Sequence, residues 1–219
     1  MKKIISLSYF LLFTVAAFSQ NEKFVKTMEQ TIAAFDTTRS NDGMLDLAAK
    51  FQRIGDAEKT QWLPYYYAAL ANVNMGFGLS GGQFGQNGDK IDPLADKAEQ
   101  LINKAEELSP NNSEIYVLKN MIATLRLMVD PQARAMKYWG AATEALATAK
   151  KLNPENPRVY YLEGQSKLYT PEQYGGSKTE GIRLLELALQ KFNAFKPESS
   201  IHPNWGKQMT EQFLAQAKK

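Results

Sequence analysis

Apolar residues return every three or four positions along almost the whole chain, and alternation with a period of two is hard to find in any window, so the pattern predicts helices. About nine are expected. Phe24, Met28, Ile32 and Phe35 form one stripe of a first helix over 22–35, which turn residues over 36–43 bring to an end. A second over 44–57 buries Leu45, Leu47, Ala48, Phe51 and Ile54. The third runs from an N-cap at Thr60 to Met75, with Pro64 in the first turn where its missing N–H does no harm, and carries Trp62, Tyr65, Tyr66 and Tyr67. A stretch rich in Gly, Asn and Gln over 76–90 reads as a long loop. Six more helices are expected over 93–108, 113–129, 132–152, 157–168, 178–195 and 204–217. Turn strings separate them, among them Ser109-Pro110-Asn111-Asn112, Asn153-Pro154-Glu155-Asn156 and His202-Pro203.

The second half of the chain is self-similar. Ala98, Ile102, Ala105 and Pro110 are spaced 4, 3 and 5 apart, and Ala142, Leu146, Ala149 and Pro154 repeat that spacing. Gly181, Leu185 and Ala188 keep the first two gaps, with Asn193 where proline would stand. Small residues at these intervals let two helix backbones approach, the large aliphatic between them fills the groove, and proline stops the helix. Tyr116 and Tyr160 each follow the proline by 6 residues. At these positions the chain resembles the tetratricopeptide-repeat (TPR) superfamily over about 95–195, and Gly164 matches a glycine common in that family's first helix. Asn120 departs from it, and so does the spacing: 44 residues separate Pro110 from Pro154, against about 34 in the family.

The resemblance implies an all-α fold of stacked antiparallel helix pairs wound into a right-handed α-solenoid, because one pair cannot bury its apolar face alone. In the family the first helix of each pair lines the concave side. Carried over, that places Glu114, Val117, Met121 and Thr124 with Arg158, Tyr161, Gln165 and Leu168 on the groove, a mixed surface suited to a protein or peptide partner. A second candidate surface is the aromatic patch Trp62, Tyr65, Tyr66 and Tyr67. Successive helical residues lie about 100° apart, so three tyrosines exceed one buried stripe and at least one ring is expected to be partly exposed or to fill a groove. The expectation is a non-enzymatic scaffold that binds a protein or peptide. The alternative is a small-molecule or transporter-accessory protein using the Tyr65 to Tyr67 helix, with the loop over 76–90 as a lid.

Composition changes that picture in two places. Lys2 and Lys3, an apolar run and the small residues Ala17 and Ser19 read as a signal peptide over 1–19, leaving one domain over 20–219, periplasmic or secreted, with no membrane span after cleavage. Cleavage removes two lysines from a net charge of +3, and the nearly balanced remainder shows no basic footprint for nucleic acid. With no cysteine and one histidine, His202, neither a disulfide framework nor a nitrogen–sulfur metal site is available, and no cofactor is expected. Gly78-Leu79-Ser80-Gly81-Gly82 matches a nucleophile-elbow pattern but follows a helix where the elbow needs a strand, so catalysis is not expected. Asn87, Asp89 and Asp92 lack the alternation of a calcium loop.

Overall fold

The computed structural model describes residues 22–219; the expected signal segment over 1–19 lies outside the described residues. Those described are all-helical, without strands: α1 over 22–37, α2 Asn41–Glu58, α3 Trp62–Ser80, α4 Gly88–Leu108, α5 Ser113–Val129, α6 Pro131–Leu152, α7 Pro157–Tyr169, α8 Lys178–Ala194 and α9 Lys207–Ala217. A short 3-10 turn, Glu172–Tyr174, sits between α7 and α8. Side-chain caps account for many of the starts: Ser40, Asn112, Asp130, Asn156 and Ser177 each accept a bond from a backbone N–H of the first turn. No described helix is long and apolar enough to cross a membrane.

Helix α3 is the centre of the molecule. Its first three turns have no solvated face: residues 63–73 are all buried, α2, α4 and α5 pack against it, and only Asn74 and Gly78 further on are exposed. The hairpins α3–α4, α5–α6 and α7–α8 follow one another, and α4 and α3 both touch α5. The alanine and aliphatic positions of the repeated spacing, 98, 102, 105, 142, 146, 149, 185 and 188, are all buried. Leu45, expected inside, is exposed because α2 turns only Leu47, Ala48, Phe51 and Gly55 fully inward.

The two copies solve the same crossing differently. Gly164 and Gly181 bring α7 and α8 together so closely that a Cβ on either would stand 3.1 Å from the other's carbonyl oxygen. In the earlier copy Asn120 replaces that contact, donating to the Ala142 carbonyl at 2.8 Å. Surface pairs keep the register with reversed sign, Lys119 to Glu106 in one copy and Lys150 to Glu163 in the next.

Boundaries differ from the sequence reading where packing overrides local composition. Helix α3 begins at Trp62 with Gln61 as N-cap, not at Thr60, and continues past Gly76 to Ser80, where Gly81 caps it at φ 56°. Gly76 belongs to the helix because α5 presses on it: a Cβ there would overlap the Leu125 side chain. Upstream of Pro93, α4 gains a turn because Ile91 buries against Ala95 and Leu125. The expected loop over 76–90 therefore shrinks to 81–87. It is pinned by Gly85 N–H donating to the Met128 carbonyl at 2.8 Å and by Asn87 Nδ2 donating to the Leu79 carbonyl at 2.8 Å, which makes it a tied turn and not a lid. Helix α9 starts at 207, not 204, because Gly206 at φ 113° redirects the chain over the Phe192 ring.

Gly164→Ala is expected to lower unfolding free energy by about 1–3 kcal/mol, since the added methyl meets Leu185 and the Gly181 carbonyl in a crossing that cannot widen. Urea unfolding followed by helical circular dichroism checks it, with Gly140→Ala as the control: it lies mid-helix where an added Cβ meets nothing within 4 Å, so stability should hold or rise by up to about 1 kcal/mol.

Candidate functional site

The strip over 195–206, between α8 and α9, is fastened across the starts of α3, α5 and α7. Arg158, the second residue of α7, is 0% exposed. Its Nη1 donates to Glu114 Oε1 at 3.0 Å and its Nη2 to the Pro203 carbonyl at 2.6 Å, so one guanidinium ties α5, α7 and the strip together. Three rings enclose it, with centroids 5.8, 5.0 and 5.1 Å away in Phe192, Phe195 and Trp205. Asn156 Nδ2 donates to Glu114 Oε1 at 2.9 Å and to Ser113 Oγ at 3.0 Å, while its Oδ1 caps α7. Burial pushes the Glu114 carboxyl above the usual carboxylate range, and the adjacent Arg158 charge opposes that rise.

The tyrosines of α3 hold the same strip. Trp205 Nε1 donates to Tyr66 Oη at 2.9 Å, and Tyr67 Oη donates to the Ile201 carbonyl at 3.1 Å. Tyr65 Oη donates to Asp56 at 2.9 Å on the other side of the helix. All three phenols are buried and their pKa values are raised, in each case chiefly by desolvation. The candidate aromatic patch at Trp62, Tyr65, Tyr66 and Tyr67 is therefore mostly interior, with the three tyrosines buried. This stretch of the helix has no solvated side, so each ring finds a different neighbour, and only Trp62 is half-buried.

The eight groove candidates divide in two. Glu114, Val117, Met121, Arg158 and Tyr161 are buried, the charged two as partners of each other beneath the strip and not as free groove residues. Thr124, Gln165 and Leu168 are half-buried, with Leu168 turned against Gly181 of α8. Past the clamp, at the far end of α7, the surface becomes an aromatic ledge. Phe213 of α9 lies 6.0 Å from both Tyr161 and Tyr169, edge-on to the latter at 87°. Tyr169 is 61% exposed, and Met209 and Tyr174 are also exposed. Tyr169 and Phe213 escaped the sequence reading because Tyr169 falls one residue past the expected end of its helix and Phe213 lies beyond the repeat. Their one signal was an aromatic residue at each of two helix ends.

The described residues hold no cluster of three or more His, Asp or Glu fit for a metal ion. Beside the clamp, a groove of about 660 Å³ runs along the turns over 109–113 and 152–155 and the end of α8, reaching Trp62 and His202.

These features define an all-helical protein with a clamped C-terminal strip and an exposed aromatic ledge. The HusA haemophore from Porphyromonas gingivalis has a similar structure, with a TM-score of 0.79 and 35% sequence identity over 89% of this chain and 92% of that one. At that identity and coverage the chain belongs to the family of this haemophore. No family model matches the chain, and no curated protein does.

Leaving Glu114 buried without its partner is expected to cost about 3–5 kcal/mol. Arg158→Ala should therefore shift the urea midpoint strongly. Arg158→Met with Glu114→Leu, which replaces both charges by apolar volume, should recover more than half of the loss, and a double-mutant cycle measures it.

Proposed function

We propose that the chain is an exported, non-enzymatic carrier of haem or a closely related planar tetrapyrrole, bound on the ledge of Tyr161, Tyr169 and Phe213. The observation that carries this reading is the half-open aromatic cluster itself, on a chain of the haemophore's family. A tetrapyrrole presents two flat apolar faces, and a perpendicular pair of rings, with the exposed Met209 one helical turn before Phe213, offers matching area at small entropic cost. The clamp supports the same reading by fixing α7 against the strip that launches α9, so the two walls of the ledge are set before any ligand arrives. A protein partner along the stripe from Glu114 to Leu168 is less well supported, since five of those eight side chains are buried. The small-molecule reading moves from the Tyr65 to Tyr67 helix to this ledge.

We further infer that the hairpins form a TPR-like right-handed solenoid. The matched register of Glu114 with Arg158 and of Asn120 with Gly164, each pair 44 residues apart, favours it. Export follows from the expected signal segment, and intact-mass measurement of the secreted chain should show it beginning at Gln20.

Haemin titration followed by the change in its Soret band tests the carrier reading. The native chain should saturate, and Tyr169→Ala with Phe213→Ala should weaken binding at least about tenfold, roughly 1.4 kcal/mol, while retaining helical circular dichroism. Equal affinity in the folded variant would overturn the ledge assignment.

A further inference from the structure

The groove beside the clamp has a floor whose hydrogen-bonding capacity the protein leaves open. Glu114 Oε2 and His202 Nδ1 are both buried and have no partner. Their side chains are only 5% and 10% exposed, and both face the groove of about 660 Å³. Buried polar atoms are otherwise almost always satisfied, so two orphans at one cavity point to a group supplied from outside. The size is that of a small-molecule site.

The chemistry of the walls narrows the occupant. Charges on the rim balance: Lys191 pairs with Glu155 at 2.8 Å, Lys196 and Glu198 carry opposite signs, and Glu114 already faces Arg158. An anion would meet the three carboxylates, and a cation would meet the lysines and a neutralised Glu114. A hydroxyl both donates and accepts, so neighbouring sugar hydroxyls can satisfy the carboxylate oxygen and the imidazole nitrogen. The remaining wall is amide and aromatic: Asn111 makes no hydrogen bond, Asn153 uses only its Oδ1, and the rings of Trp62 and Phe195 stand on either side of His202 at 6.1 and 6.4 Å. Rings pack on the C–H faces of a sugar while amides and a carboxylate bond its edge hydroxyls. The geometry points to a second site, separate from the ledge, that binds a neutral saccharide of one or two rings through Glu114, His202, Asn111, Asn153, Trp62 and Phe195.

Heteronuclear NMR of the full chain, titrated with lactose, maltose and chitobiose, tests it. At least one of the three should shift the Trp62 indole and the backbone amides over 109–114, saturating in about the millimolar range. Asn111→Ala with His202→Ala, positions outside the hydrophobic core, should weaken that binding at least about tenfold while leaving haemin titration unchanged; Tyr169→Ala should leave sugar binding unchanged. No shift with any of the three sugars, or binding indifferent to Asn111→Ala with His202→Ala, overturns the proposal, and neither result bears on the ledge.

Discussion

A single guanidinium decides how the C-terminal third of this protein sits on the rest. Arg158 has no access to water and is held by a carboxylate from α5, a carbonyl from the strip over 195–206 and three aromatic rings. Taking that charge out of water is costly, and its partners offset the cost only in one arrangement. The consequence is registry: α5, α7 and the strip must meet where Glu114, Arg158 and Pro203 coincide. Tyr66 and Tyr67 then reach the same strip, so the central helix fixes the position of residues 195–206 through two hydrogen bonds.

From that constraint the binding surface follows. Gly206 turns the chain out of the strip, and α9 lands against α7 and α8 with Phe213 between Tyr161 and Tyr169. The ledge is made by helices far apart in sequence, but its geometry is inherited from the buried pair a few turns away. A site so built needs little reorganisation on binding, which suits a carrier that must load and release a flat ligand.

Much of the architecture was legible in the residues. Helix periodicity, the Asn-Pro and Ser-Pro punctuation and the alanine spacing located every helix described, because each signal is local and acts through backbone geometry. What could not be read was tertiary. Gly76 and Ile91 look like loop and flank until Leu125 is placed against them, and three adjacent tyrosines look like excess until α3 is seen to have neighbours on all sides. Glu114 and Arg158 were singled out together from the repeat register, but no pattern in one dimension says that the strip over 195–206 would cover them. Tyr169 and Phe213 come together only through that strip.

The claim that the buried Arg158 contact shapes the ledge in advance is tested most directly by amide hydrogen exchange, with and without haemin. The account predicts that the strip's hydrogen-bonded amides, Phe195 and His202, are already protected in the free chain, and that haemin adds protection at the end of α7 and along α9 alone. Free exchange at both amides until haemin is added, or added protection centred on α3 instead, would contradict it.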